Sequence, residues 1–168
     1  NKPIITWLIG IAMVIITIVS MTDFEYAIDT FGMIPAKFAR GYGFTFISSF
    51  FLHAGLAHLV GNLYFLLVFG DNVEDVLGKK KYILLIILAA LVGDILHIII
   101  DPQKMVPSIG ASGGISGILA YYCLRFPDAR LRMFFFFYFR YSWFSINVKT
   151  FIVLWILLQV FISFEQTA

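Results

Sequence analysis

Two serines and four glycines share one short run, Gly110-Ala111-Ser112-Gly113-Gly114-Ile115-Ser116-Gly117. Upstream lie His58 and Asn62, four apart and therefore on one face of any helix that carries them. A serine hydroxyl attacks a carbonyl only when a base activates it, and the charge that then develops on the carbonyl oxygen needs hydrogen-bond donors. Ser112 stands near the start of an apolar segment, where a helix would offer free N–H groups and the positive end of its dipole. A serine, amide donors and a histidine together point to acyl transfer. The same run also reads as packing alone. Gly113 and Gly117 form a small-xxx-small pair that admits a neighbouring helix closely.

The elements that must position these residues are membrane spans. The 168 residues are 61% hydrophobic and only 13% charged, with a net charge of +2. A soluble domain of this size carries more charge and shorter apolar runs. Spanning chains satisfy their own backbone, and these long apolar runs lack the alternation of barrel strands, so the fold class is an all-α polytopic membrane protein. Five spans are predicted: Ile4–Met21, Phe46–Phe69, Tyr82–Ile100, Ile109–Leu124 and Val148–Phe164. A long first loop, Thr22–Tyr42, and a charged turn, Gly70–Lys81, separate the early spans. The aromatic stretch Met133–Tyr138 is too short to cross and is expected to be an interfacial anchor or a re-entrant hairpin. With no repeat and no low-complexity linker, residues 1–168 form one expected domain. Asn1 in place of a methionine points to a trimmed N-terminus.

Lysine and arginine favour the cytoplasmic side. An N-terminus inside places Lys2, Lys79, Lys80, Lys81, Arg125, Arg130, Arg132, Arg140 and Lys149 in the cytoplasm, against Lys37, Arg40 and Lys104 outside. If Gly70 and Arg125 mark the inner boundary, His58 lies roughly 18 Å up, Asn62 roughly 12 Å and Ser112 roughly 20 Å at 1.5 Å per residue. His58 and Ser112 then share a level about 10 Å below the outer face of a hydrocarbon core about 30 Å thick. Nothing in the charge pattern suggests nucleic acid, and no metal or cofactor is expected. The single cysteine, Cys123, forms no internal disulfide.

These residues resemble the rhomboid family of intramembrane serine proteases. Gly110-Ala111-Ser112-Gly113 is similar to its nucleophile motif, and Phe51-Leu52-His53-Ala54-Gly55-Leu56-Ala57-His58-Leu59-Val60-Gly61-Asn62 to its second-span motif with H-x4-H-x3-N spacing. Phe69-Gly70-Asp71-Asn72-Val73-Glu74-Asp75 with Gly78 resembles the turn that follows. The resemblance implies a bundle of six helices, five of them in this chain, and cleavage of transmembrane protein substrates near the outer face, reached by water from that side. It implies Ser112 as nucleophile, and the Ser112 N–H, His58 and Asn62 as the oxyanion hole. Glu74 becomes a structural hydrogen-bonding residue, and His53 a structural or water-binding one. Gly110, Gly113 and Gly117 belong to the nucleophile segment. Phe151 and Trp155, four apart on the fifth span, are candidates to line the substrate gate, or are ordinary packing or lipid-facing aromatics.

The family's dyad histidine comes from a sixth span, which these residues do not include. The chain alone is therefore expected to be inactive or nearly so, a rhomboid domain whose last span has been lost or sits on a second chain. Two alternatives stay open: a catalytically dead relative that binds transmembrane helices, and a substitute base, His97 with Asp94 three residues before it. Ser116 stands where some members carry an aromatic that stacks on the catalytic histidine. A transporter would call for inverted repeats or charge on several spans, and only Asp94 offers such a charge. The expected setting is multi-pass in the lipid bilayer, N-terminus cytoplasmic, in a bacterial inner membrane.

Overall fold

The computed structural model describes residues 2–137 and 140–165, with side chains described outside 133–141 and 160–165. Asn1, Tyr138, Phe139 and the chain end Gln166-Thr167-Ala168 lie outside the described residues, so the end of the predicted interfacial segment Met133–Tyr138 falls among them. The chain forms two compact units, Asn1–Ile118 and Leu119–Ala168. The first holds α1 (Ile4–Ser20), α2 (Phe24–Phe31), the single turn α3 (Thr45–Ser48), α4 (Leu56–Leu77), α5 (Lys79–Ile100) and the start of α6 (Ser112–Arg125). The second holds the rest of α6, the strands β1 (Arg130–Phe137) and β2 (Arg140–Asn147), and α7 (Val148–Glu165).

The first helix is inside-out by the standards of a soluble protein. Its buried face is Thr6, Gly10, Met13, Thr17 and Ser20. Its exposed face carries Trp7, Leu8, Ile11, Ile15, Ile18 and Val19. An apolar surface of this extent marks contact with a membrane or a partner. The long helices α4 and α5 have 22 residues each and are apolar enough to cross a bilayer. At 1.5 Å per residue each reaches roughly 33 Å, close to the thickness of a hydrocarbon core. Two shorter apolar helices cover Ile4–Ser20 and Val148–Gln159.

Helix α1 runs antiparallel to α4 and is fixed at both ends by polar bonds. The Glu74 carboxylate accepts from the backbone N–H of Ile5 at 3.0 Å and of Thr6 at 2.8 Å, and from the Thr6 hydroxyl at 2.9 Å. These are N–H groups of the first turn of α1, which have no partner within that helix. A carboxylate there also meets the positive end of the helix dipole. Since Thr6 gives its proton to Glu74, the Tyr82 hydroxyl, 3.1 Å away, is the donor to Thr6. Gly70 makes room for this cluster, because a Cβ there would stand 2.5 Å from the Tyr82 hydroxyl. Midway, Gly10 lies against Leu63 and Leu66. At the far end Thr17 meets His53.

Helices α5 and α6 touch through small residues. A Cβ on Gly117 would lie 2.4 Å from Ala89 Cβ, one on Gly113 3.3 Å from Ala90 Cα, and Gly93 faces Gly113. The helix that the small-xxx-small pair admits is therefore α5. Gly114, to which sequence reasoning gave no role, seats α6 on Phe50 and Ile86; a Cβ there would approach them to 2.7 and 2.9 Å.

Several expectations need correction. The second span was placed at Phe46–Phe69, but the long helix is Leu56–Leu77. Phe46–Phe51 is apolar yet only a pair of short turns, α3 and the 3-10 turn Ser49–Phe51, and the chain then extends through Leu52 to the N-cap Gly55. At the other end, the charges at Asp71, Glu74 and Asp75 do not stop the helix, because Glu74 is consumed in capping α1. The expected charged turn Gly70–Lys81 shrinks to one residue, Gly78, whose φ of +73° lets α4 end and α5 begin at once. The first loop contains α2, capped by the Asp23 side chain on the Tyr26 N–H. The chain is mostly helical rather than all-α, since β1 and β2 pair antiparallel. Their aromatic and β-branched content, including Tyr141, Trp143, Phe144 and Ile146, favours strand.

Two stability outcomes follow. Replacing Glu74 by alanine takes the acceptor from two buried donors on Thr6 and a part-buried one on Ile5, and is expected to cost about 3 kcal/mol, read from reversible unfolding in mixed micelles. A loss below about 0.5 kcal/mol would mean that α1 does not depend on this cap. Gly117→Ala should destabilise by roughly 1–3 kcal/mol through overpacking. Ala89→Gly in the same chain should restore most of that loss, and simple additivity of the two changes would rule out the contact.

Candidate active site

The segment that leads into α6 is held from outside by the first loop. Met33 and Ser108 exchange both backbone hydrogen bonds, at 3.2 and 2.7 Å, and the Ala36 N–H reaches Lys104 O at 3.1 Å. The first loop is itself tied down. The Arg40 guanidinium donates to the carbonyls of Asp29 and Gly32, and Ser48 Oγ to Phe31 O, satisfying carbonyls at the end of α2. Gly110 N–H then donates to Ser49 O at 2.9 Å.

Gly110 is the hinge of the site. Its φ of +118° is a conformation that side chains strain. A Cβ there would also stand 2.7 Å from both Cε1 and Nε2 of His58, and 3.9 Å from Asn62 Nδ2. Glycine is needed for both reasons. The His58 ring and the Asn62 amide therefore lie directly against the backbone two residues before Ser112. The depth arithmetic gave only similar heights, and Asn62 lower than His58; the structure puts both beside Gly110.

Ser112 is the first residue of α6 and is half-buried. The first helical bond runs from Ile115 N–H to Ala111 O. The N–H groups of Ser112, Gly113 and Gly114 thus have no partner within the helix. Ser116 does not face the approach freely, since its hydroxyl donates back to Ser112 O at 2.7 Å.

Hydrogen bonding fixes which nitrogen of His58 accepts. Ala54 N–H donates to His58 Nδ1 at 3.4 Å, so that nitrogen carries the lone pair. A neutral ring then has its proton on Nε2, the atom beside Gly110. Asn62 donates one amide hydrogen to His58 O at 3.1 Å and is itself buried, which leaves its second hydrogen available. His53 is fully buried. Its Nδ1 lies 3.2 Å from Phe51 O and 3.0 Å from Thr17 Oγ1. A proton on Nδ1 serves the Phe51 carbonyl, whereas a proton on Nε2 leaves Nδ1 to accept from the Thr17 hydroxyl. The His53 ring meets the His58 ring edge to face, with centroids 5.1 Å apart. Thr17, absent from the sequence reasoning, anchors this chain of contacts. Its signal was a polar residue four turns into an apolar run.

Other predicted residues stay apart. Asp94 and His97 are one turn apart on α5, and among the described residues no hydrogen bond or ion pair joins them to each other or to Ser112. Glu74 sits at the opposite end of α4 from His58 and binds α1. Phe151 and Trp155 lie on one face of α7 and both are buried. Among the described residues no cluster of His, Cys, Asp and Glu is arranged to hold a metal.

A family model described as a rhomboid domain matches residues 40–168. Among curated proteins, the chain is 29% identical over 89 residues to the presenilin-associated rhomboid-like protein, mitochondrial, of Mus musculus, covering 52% of this chain and 24% of that one. It is 32% identical over 113 residues to rhomboid-like protease 3 of Toxoplasma gondii, covering 65% and 42%. It is 27% identical over 122 residues to YdcA of Bacillus subtilis (strain 168), a rhomboid protease by name, covering 71% and 61%. The matched part of the chain thus spans a quarter to three fifths of these relatives. The match to the family model takes in the His58–Asn62 helix, Gly110 and Ser112, and on it the chain belongs to the rhomboid family.

Proposed function

We propose that residues 1–168 form the membrane domain of a serine endopeptidase that cleaves transmembrane protein substrates near the outer membrane face. The observation that carries this reading is the His58 ring lodged against Gly110, two residues from a serine at a helix start. Ser112 Oγ attacks the scissile carbonyl, and the new oxyanion accepts from Ser112 N–H, His58 Nε2–H and the free Asn62 hydrogen. Donors already aimed at that point stabilise charge without reorganising. The serine proton goes to a histidine on a further span, outside these residues. The spans are α1, α4, α5, α6 and α7, with the N-terminus in the cytoplasm, and the gate role of Phe151 and Trp155 rests on family resemblance alone.

A second reading, a non-catalytic protein that binds transmembrane helices, needs the same apolar helices but not the serine. The two readings separate by labelling the full-length protein in membranes with a fluorophosphonate probe. The protease reading expects labelling that Ser112→Ala abolishes. No labelling of the parent, with transmembrane peptides still bound, would establish the second reading.

The oxyanion assignment has its own test. His58→Ala and Asn62→Ala should each lower kcat by roughly 10²–10³ with little change in KM. Gly110→Ala, which drives a Cβ into the His58 ring, should fall at least as far. Normal turnover in all three would place the oxyanion elsewhere.

A further inference from the structure

The end of α1 lies against the 3-10 turn Ser49–Phe51, and one of its side chains crosses over. Thr17 is fully buried in the last turn of α1. A threonine hydroxyl inside a helix commonly bonds back to the preceding turn. This one instead reaches 36 positions along the chain to His53 Nδ1, at 3.0 Å, with Phe51 O a second neighbour at 3.4 Å.

His53 has few other polar holds. Its ring is fully buried, and its Nε2 has no hydrogen-bond partner among the described residues. Its hydrogen bonds are all made at Nδ1, where Thr17 Oγ1 at 3.0 Å is nearer than Phe51 O at 3.2 Å. That holds whichever nitrogen carries the proton. Without Thr17 the ring would keep one such contact, to a carbonyl two residues earlier in its own loop.

From His53 two paths lead to His58. The rings meet edge to face at 71°, with centroids 5.1 Å apart. The next residue, Ala54, gives its N–H to His58 Nδ1 at 3.4 Å. A bond of that length is sensitive to small shifts of the backbone that carries it. It also selects the tautomer. With Nδ1 accepting, the proton of a neutral ring stands on Nε2, beside Gly110. A ring in the other tautomer would present a lone pair there and could not donate to an oxyanion.

We propose that Thr17 is a positioning residue for His58: from the first helix, through His53 and the Ala54 amide, it keeps the His58 proton on Nε2, beside Gly110. It touches neither substrate nor serine. Its effect on turnover rests on the protease reading above, whereas its effect on the His58 tautomer does not.

The test uses full-length protein in bicelles, labelled with nitrogen-15 histidine, at about pH 8 where an ordinary histidine is neutral. Nitrogen shifts separate a protonated ring nitrogen from a bare one, and their loss in His58→Ala identifies the His58 signals. The parent and Thr17→Ser should both show His58 with its proton on Nε2, and Thr17→Val should show both tautomers. Ser20→Ala removes another buried hydroxyl of α1, one bonded to its own helix backbone, and should resemble the parent. In turnover, Thr17→Val should lower kcat roughly tenfold to a hundredfold with little change in KM, short of the loss on removing His58 itself. Thr17→Ser should restore it. Because Thr17 acts through His58, Thr17→Val in a His58→Ala chain should cost little more. A parent with the His58 proton on Nδ1 overturns the proposal without any variant. So does an unchanged tautomer in folded Thr17→Val, or an equal loss of kcat from Thr17→Val with and without His58. A tautomer that shifts in Thr17→Val, beside a parent that no fluorophosphonate labels, would sink the protease reading and leave the positioning role standing.

Discussion

A chain whose outward faces are apolar must settle its polar groups inward, and the seam between α1 and α4 obeys that constraint. On α1 the buried stripe is the polar one, Thr6, Thr17 and Ser20 with Gly10 and Met13 between them. Each hydroxyl has a partner: Thr6 with Glu74, Thr17 with His53, Ser20 with its own helix backbone. A buried polar group left unpaired costs more than a paired one gains, so these bonds specify position more than they add stability. The antiparallel register of α1 on α4 is fixed where it matters, at Glu74 on one end and at His53 on the other.

That register is what delivers the histidine. His53 is held by α1 and by Phe51 O, and the His58 ring stands edge-on to it. The serine arrives by a separate route. Small residues let α6 sink against α5, while the strands of loop around Met33 and Ser108 hold the entry to Gly110. The two routes meet at one residue without a side chain. The geometry of the candidate site is a packing result, built from contacts outside it.

The residues of the candidate site stand out in the chain because their types are costly in an apolar setting. Ser112, His58 and Asn62 stand out for that reason, and their spacing in sequence fixed which face they share. Helix ends were harder. Hydropathy alone carried the second span back to Phe46, because it cannot distinguish Phe46–Phe51 in short turns from the same residues in a long helix. It also stopped that span at Gly70, because the three carboxylates beyond look like a boundary until one of them is seen capping another helix. Gly114 and Thr17 were passed over, since their roles depend on Phe50, Ile86 and His53, which come near only in three dimensions. The ribbon was half legible: a short aromatic segment was evident, its pairing partner was not.

The link between Glu74 and Thr6 bridges 68 positions of chain. During synthesis the first helix is therefore finished long before its cap exists. Until Glu74 emerges, the opening turn of α1 has to rest among wet headgroups, where solvent can serve its bare amides. With only Gly78 between them, α4 and α5 must then enter the bilayer together. Biogenesis is thereby ordered, with the amino-terminal segment waiting at the surface and locking into place when the paired long helices arrive.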